Sequence, residues 1–242
     1  MPEHNDKQNQ RIAIAALIAA VILCCAALVL SVHLLQNTDF SFSLSDLRFG
    51  LFPGCSPEPS PPGSIVLGQY SGEPIEWIVL DRQEDRMLLL SRRTLEELCF
   101  HEMHEPVTWE SCTLRTWLNG AFLNSAFTDE EASRILVTEL DNSSVNPDYH
   151  YTEGSTPTAD RIFLLSHDEV VRYLPAEDDR ISEKPLNAPS YVNDYSPWWL
   201  RSPGLWPTDA EYVSRGGSLF CGMADGIYIY VRPAMWITIE PF

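Results

Sequence analysis

The clearest hydrophobic pattern in the sequence is an apolar run over residues 12–35, in which Ser31 and His33 are the polar members. About 20 apolar residues cross a bilayer as a helix, so this run predicts a transmembrane anchor. A cleaved signal peptide is the alternative, but its apolar core would be about 7–15 residues long and followed by small residues. The length of the run favours the retained anchor.

The charges beside this run predict its orientation. Lys7 and Arg11 precede it and no basic residue follows it closely, so the positive-inside rule places residues 1–11 in the cytoplasm. Residues 36–63 are rich in serine and proline, which predicts an extended stalk, although the F-S-F-S-L segment would also fit a short strand. Residues 64–242 are then expected to form an extracytoplasmic domain of a single-pass protein of the cell membrane.

Shorter patterns predict the elements of that domain. Runs of β-forming residues at 64–70, 76–80 and 86–91 predict strands, the last two joined as a hairpin. Over residues 110–127 the apolar positions recur at three-to-four spacing, which predicts a helix with Trp117 on its buried face.

Two further helix starts are marked by capping boxes. Thr128 is followed by Glu131, and Ser166 by Glu169, at the spacing that lets a hydroxyl and a carboxylate cap the first turn reciprocally. The apolar run 161–165 predicts a strand ahead of the second of these helices.

The rest of the domain is less regular. Residues 141–158 are polar and rich in turn formers, which predicts a long surface loop. Residues 198–239 combine tryptophans with glycines inside apolar runs and predict the strands that close the fold. Because the strands are mostly not linked as βαβ units, the fold class predicted is α+β.

The charge of the chain limits its partners. It has 16 Lys+Arg against 34 Asp+Glu, a formal net charge of −18. Nucleic-acid binding depends on basic side chains that neutralise phosphates, so no nucleic-acid partner is expected. An acidic domain is also repelled by anionic lipid, which favours one that is held away from the membrane surface.

Seven motifs occur in one order: G-S-I-V-L-G-Q-Y, P-I-E-W-I-V-L-D, V-T-W-E-S-C-T-L-R-T-W-L-N, F-T-D-E-E, R-I-F-L-L-S, W-W-L-R-S-P-G and V-R-P-A-M-W-I. In this order they resemble a widespread bacterial family of extracytoplasmic domains of unknown function (the DUF 6273 kind). The resemblance covers about residues 63–239. It implies an exported domain without implying an activity.

A second resemblance is to the C-type-lectin-like fold in its formylglycine-generating-enzyme variety. It is carried by R-G-G-S at residues 215–218 and V-R-P-A at residues 231–234. That fold carries ligand contacts in the stretch between such motifs. Its enzymatic branch has a pair of C-terminal cysteines, whereas this chain has Cys221 alone in that region, so oxidase chemistry is not expected.

Cysteine and histidine residues suggest an alternative, metal-dependent chemistry. The segment C-F-H-E-M-H-E and the following W-E-S-C provide four zinc-ligand types, Cys99, His101, His104 and Cys112, but not the H-E-x-x-H spacing. Cys99 and Cys112, together with Cys55 and Cys221, would also allow disulfides after export, in a pairing that the sequence leaves open.

No cofactor is predicted, although calcium fits an exported lectin-like domain better than zinc. Its oxygen ligands would come from Asn193, Asp194, Asp209 and Asp225, without the spacing of an EF-hand. Arg201 and Arg232 lie among large apolar residues, where a buried arginine with an acidic or carbonyl partner is favoured over anion recognition.

No nucleophile elbow or other catalytic motif is present in the sequence, so we expect a membrane-anchored recognition module rather than an enzyme. Its ligand would be a glycan, a cell-wall component or a protein. Aromatic and acidic residues on glycine-rich loops are frequent in recognition sites. The candidate ligand-binding residues are therefore Trp206, Asp209, Tyr212, Phe220, Asp225 and Tyr228. The alternation in I-Y-I-Y-V predicts a strand whose tyrosines face away from its buried isoleucines.

The orientation of the anchor is testable on intact cells. We expect externally added protease to release a soluble fragment that begins within residues 36–63, since the charge placement exports everything after residue 35. Protection of the whole chain would contradict this orientation.

Overall fold

A computed structural model describes residues 64–149, 151–183, 185–186 and 195–239. The expected cytoplasmic tail, anchor and stalk, together with Cys55, Asn193 and Asp194, lie outside the described residues. Among the helices of the described part, none is long and apolar enough to cross a membrane.

Nine strands and five short α-helices make up the described domain, which has the predicted α+β class. The strands are β1 (Ser64–Tyr70), β2 (Glu73–Arg82), β3 (Arg86–Ser91), β4 (Thr138–Leu140), β5 (Thr158–Asp160), β6 (Trp198–Pro203), β7 (Asp209–Val213), β8 (Leu219–Met223) and β9 (Ala234–Thr238). The helices are α1 (Thr113–Trp117), α2 (Leu123–Ala126), α3 (Asp129–Arg134), α4 (His167–Tyr173) and α5 (Glu177–Arg180), with a π-helical segment at Leu118–Phe122 between α1 and α2.

The strands form three antiparallel sheets. The largest has the order β1-β2-β3-β9, so that β9 pairs with β3 from the far end of the domain. The strands β6-β7-β8 form a second sheet, and β4-β5 form a third. The hairpin predicted for β2 and β3 is confirmed, although β2 extends further at both ends than the run 76–80.

Buried tryptophans fill the core, and their polar atoms are satisfied. Trp77, Trp198 and Trp199 are fully buried. Their indole N–H groups donate to the carbonyl oxygens of Leu67 at 2.8 Å, of Arg180 at 3.0 Å and of Leu98 at 2.8 Å. A buried indole with such a partner contributes its large apolar area without an unpaired donor.

The helix predicted over residues 110–127 is shorter and less regular than its pattern suggested. It begins at Thr113, after Cys112, whose thiol accepts from the Arg115 N–H at 3.3 Å. Leu114, Leu118 and Phe122, four residues apart, form the buried face of this segment. Trp117, predicted to be in the core, is only partly buried at the edge of that face and stacks on Phe122 with ring centroids 5.1 Å apart.

Both capping boxes are confirmed. The Glu131 N–H donates to the Thr128 hydroxyl at 3.2 Å, and the Thr128 N–H donates back to the Glu131 carboxylate at 2.8 Å. Ser166 and Glu169 cap α4 in the same way. These helices begin where the sequence predicts because a cap depends on residues three positions apart.

The strand predicted at residues 161–165 is wrong. In that run Phe163 makes one bridge to Ala234, and the regular pairing lies just before it, in β5. Residues 162–165 are all fully buried. The run is apolar because it passes through the core, and its hydrophobicity alone does not distinguish that path from a strand.

Arg232 confirms the favoured reading of a buried structural arginine. Its guanidinium donates to the carbonyl oxygens of Ser91 at 2.9 Å and Arg180 at 3.1 Å, and lies 4.9 Å from the ring centroid of Trp198. Burial lowers the pKa of Arg232, since the charged form loses its hydration. The side chain ties β3, α5 and β6 together.

Two glycines with positive φ allow a matched test of the packing of β1. A Cβ on Gly68 (φ +73) would lie 2.7 Å from the Phe127 ring and 2.8 Å from the Ala126 carbonyl oxygen, whereas a Cβ on Gly72 (φ +86) would meet nothing within 4 Å. We expect Gly72→Ala to cost about 1–2 kcal/mol of unfolding free energy through its backbone alone. Gly68→Ala should cost about 1–3 kcal/mol more through the clash. Equal losses in urea unfolding would contradict this packing.

Candidate functional site

A groove lies where three connecting segments meet, at residues 106–111, 151–155 and 203–207. It contains a cavity of about 240 Å³. The cavity is lined by Pro106, Val107, Thr108, Ser111, Tyr151, Thr152, Glu153, Pro203 and Pro207. Most of these side chains are small, apolar or hydroxylated, as is usual for a small-ligand cleft.

Hydrogen bonds to backbone carbonyl oxygens hold the three segments together. The Thr152 hydroxyl donates to the Gly204 carbonyl oxygen at 2.6 Å, and the Val107 N–H donates to the Pro207 carbonyl oxygen at 2.9 Å. The Gly204 N–H donates to the Asp209 carbonyl oxygen at 3.0 Å, which closes the turn between β6 and β7. The groove is thus formed by loops fixed to a sheet.

Gly204 is required by this close approach. A Cβ at this position would lie 2.6 Å from the Asp209 Cβ and 2.8 Å from the Cys221 Cβ. Its lack of a side chain allows the start of the turn to pack directly on β7 and β8.

An exposed aromatic pair stands at the groove. The rings of Tyr151 and Trp206 are stacked, with centroids 4.8 Å apart and planes 12° from parallel. Tyr151 is 65% exposed and Trp206 is 50% exposed. Large aromatics usually gain by burial, so this pair is the exposed apolar feature that most needs an explanation.

A small recess continues the groove toward the core. It is lined by Phe100, Val107, Thr108, Trp109, Glu153, Ser155, Arg201, Pro203 and Asp209, and its volume is about 10 Å³. Asp209 is only 8% exposed. Its carboxylate accepts a long hydrogen bond from the Thr208 hydroxyl, at 3.4 Å.

Arg201 also lines the recess, but all of its donors are already used. Its Nε donates to Asn142 at 3.0 Å, and the two terminal nitrogens donate to the carbonyl oxygens of Leu164 at 2.8 Å and Asp141 at 3.2 Å. The same two nitrogens form a bidentate pair with the carboxylate of Glu169. A guanidinium has five N–H donors, so none remains for a ligand, and the structural reading of Arg201 is confirmed.

A second buried polar group lies beneath the β6-β7-β8 sheet. The carboxylate of the fully buried Glu211 contacts Nδ1 of His167 at 2.9 Å and accepts from the Asn146 amide at 2.9 Å. The hydrogen bond to Glu211 raises the pKa of His167, against the opposing effect of burial. The pair joins α4 to β7.

The six predicted ligand-binding residues are not gathered in one place. Trp206 stacks on Tyr151 beside the groove, and Asp209 lines the recess behind it. Tyr212 stacks with Phe220 on the β7-β8 hairpin with centroids 6.3 Å apart. Asp225 contacts His104 at 3.2 Å, and the Tyr228 N–H donates to Glu97 at 3.1 Å. Trp206, Phe220 and Tyr228 are exposed as predicted, whereas Asp209, expected on the surface, is buried because it begins strand β7.

The alternation predicted for I-Y-I-Y-V is wrong. Tyr228 has φ +71, which breaks an extended strand at that residue. Ile227 is 62% exposed and Tyr228 is 65% exposed, so the isoleucines do not share a buried face. The described residues form a turn here, and the closing strand β9 begins only at Ala234.

The residues of the alternative zinc site have different partners in the structure and do not converge on one point. Cys112 caps α1, and burial raises the pKa of its thiol to about 12. His101 accepts from the Thr113 N–H at 3.3 Å, while the exposed His104 pairs with Asp225. Across the residues that the structure describes, among them Asp209 and Asp225, no group of three or more His, Cys, Asp or Glu side chains is placed to hold a metal ion.

The cysteines of the described domain are unpaired. Cys99, Cys112 and Cys221 are free thiols, and burial raises the pKa of Cys99 as well as that of Cys112. A disulfide among these three is therefore not part of the structure.

Sequence reasoning missed the other half of the groove. Tyr151 and Glu153 lie in the run 141–158, whose pattern predicts only a polar surface loop. Its one usable signal was a pair of tyrosines, Tyr149 and Tyr151, inside an otherwise polar segment. Their proximity to Trp206 is set by tertiary contacts and has no local pattern.

A family model described as "Domain of unknown function (DUF6273)" matches residues 84–239, more than half of the chain. The match starts in the turn between β2 and β3 and runs through β9. No match was found among curated proteins or among solved structures.

The pair of His167 and Glu211 predicts a pH-dependent contribution to stability. Because the folded-state pKa of His167 is raised, the charged pair stabilises fully below the unfolded pKa of about 6.5 and loses that contribution as pH rises through the folded value. We expect the destabilisation caused by Glu211→Gln to be largest at pH 5 and to shrink toward pH 9 in urea unfolding. The exposed Glu139→Gln is the matched control, with a small and constant effect. A constant difference for Glu211→Gln would contradict the pairing.

Proposed function

We propose that this chain, which belongs to the DUF6273 family, is a recognition module that binds a sugar in the groove beside Tyr151 and Trp206. The observation that carries the proposal is the stacked, exposed aromatic pair next to a lined cavity. Aromatic side chains offer a large, rigid contact area with little loss of side-chain entropy on binding.

The chemistry of the groove supports a hydroxylated ligand. Tyr151 offers an apolar ring, while Thr108, Ser111 and Glu153 bring hydroxyl and carboxylate groups to the same cavity. A sugar ring presents apolar C–H faces and polar edges, so it uses both kinds of surface. The cavity, at about 240 Å³, lies just below the usual range of about 300–1,000 Å³ for small-ligand sites. It suits one portion of a larger glycan.

The charge of the protein disfavours anionic glycans as ligands. At a formal net charge of −18 the protein repels anions over long range. Arg201, the cation that lines the recess, has no donor left. Both points favour a neutral or cationic glycan over a phosphorylated or carboxylated one.

The proposal also includes a lectin-like architecture and a membrane anchor. The motifs at residues 215–218 and 231–234 support a C-type-lectin-like architecture, in which loops on a rigid scaffold carry the ligand contacts. The apolar run 12–35 and the basic residues before it support a membrane-anchored protein with residues 64–242 outside the cell. Such a module would present its groove to extracellular or cell-wall sugars.

Trp206→Ala tests this function. A glycan array first identifies a ligand of the unmodified protein, and its Kd is then measured by titration calorimetry. Truncating a central aromatic anchor typically costs about 2 kcal/mol or more, so we expect binding to weaken at least about tenfold. The melting temperature should change little because Trp206 is half exposed.

Phe220→Ala is the matched control, since Phe220 is 52% exposed, like Trp206, but stacks on Tyr212 of the β7-β8 hairpin and not on the groove residue Tyr151. It should bind like the unmodified protein. The opposite result, a loss with Phe220→Ala and none with Trp206→Ala, would place binding on the sheet face and overturn the proposed site.

A further inference from the structure

We infer that the recess behind the groove holds the ammonium group of an amino sugar. The inference rests on the proposed function, and it names the ligand class that the same site would select. The groove and the recess share Val107, Thr108, Glu153 and Pro203 in their linings, so they are continuous. A ring held beside Tyr151 therefore has a path for one substituent toward Asp209.

Asp209 is the group in the recess that calls for a partner. It is nine-tenths buried and lines the recess, and among the described residues its carboxylate has the single 3.4 Å hydrogen bond from Thr208. A buried carboxylate is normally paired with a cation or with several donors, because burial removes its hydration. The neighbouring guanidinium of Arg201 is directed to Glu169 and to three other acceptors.

The size of the recess selects the partner. Its volume of about 10 Å³ corresponds to roughly one water-sized group. A primary ammonium has that size and carries a charge opposite to that of the carboxylates in the recess. Asp209 and Glu153 can accept hydrogen bonds from its three N–H groups. A calcium ion takes about 6–8 oxygen ligands at close range, and in the described residues no group of three or more His, Cys, Asp or Glu side chains is placed to hold a metal ion.

An anionic substituent is disfavoured for the same reason that the ammonium is favoured. Asp209 and Glu153 both carry carboxylates at the recess. An uncharged N-acetyl group is bulkier than one water and brings an apolar methyl beside these charges. The recess therefore distinguishes a free amine from its acetylated form.

Two matched probes test the inference on the full chain: the β-1,4-linked trimer of glucosamine and the corresponding trimer of N-acetylglucosamine. They differ in the charge and size of one substituent per ring. Binding is measured at physiological salt, where long-range attraction to an acidic protein is largely screened. We expect the glucosamine trimer to bind more tightly, and its binding to weaken as pH is raised until its amines are neutral.

Asp209→Asn should weaken binding of the glucosamine trimer about tenfold, the usual size of a lost charged hydrogen bond, and leave the acetylated trimer within about twofold. Asp85→Asn makes the same charge change at an exposed position in the β2–β3 turn and should leave both unchanged. The melting temperature of Asp209→Asn should be equal or higher, since the substitution removes a poorly paired buried charge. A clear drop would show that Asp209 has a structural partner and would overturn the inference.

The outcomes separate this inference from the proposed function. If Trp206→Ala weakens both trimers but Asp209→Asn and acetylation have no effect, the sugar site stands and the ammonium subsite is wrong. Equal losses for Asp209→Asn and Asp85→Asn would mean general electrostatic attraction and would also overturn it. If the array yields only sugars without a free amine, the function stands and the inference fails. If Trp206→Ala has no effect on any sugar bound, the function itself fails.

Discussion

The domain depends on the ion pair between the buried Arg201 and the partly buried Glu169. One guanidinium on β6 holds the start of α4 through Glu169, the core-crossing run through the Leu164 carbonyl oxygen, and the long loop through Asp141 and Asn142. Glu169 is also the carboxylate of the α4 capping box, so the helix start and the ion pair share one side chain. Removing Glu169 would leave the buried guanidinium of Arg201 without its carboxylate, a loss that costs about 3–5 kcal/mol when both partners of a pair are fully buried.

In this acidic domain the charged side chains inside the core have specific partners. Arg201 and Arg232 are both buried, and each connects segments that are far apart in the sequence. With 16 basic against 34 acidic residues, cations are scarce in the chain, yet three arginines, Arg180, Arg201 and Arg232, are buried. Glu211 is compensated by His167 and Asn146 instead. Asp209, at the recess, lies outside both arrangements, which is why it stands out among the buried carboxylates.

Local patterns predicted local structure well and tertiary placement poorly. The strands β1 and β3 and both capping boxes follow from residues within a few positions of one another, and they are confirmed. The run 161–165 failed because a core-crossing segment and a buried strand have the same composition. The strand predicted around Tyr228 was wrong because the positive φ of that residue, which is rare outside glycine, leaves no sign in an alternating sequence. Half of the groove was missed because Tyr151 and Trp206 meet only through the packing of distant loops.

The pairing of β3 with β9 has a consequence for the synthesis of the chain. Leu88 pairs with Trp236, so nearly the whole domain is translated between the two strands. Until β9 emerges, β3 presents an unpaired, apolar edge, the kind of surface that templates aggregation. The strand that completes the largest sheet, β9, is therefore the last strand to be synthesised. Its folding is governed by long-range closure, which places it among the slower-folding topologies, and any interruption of translation before Ala234 yields an open sheet.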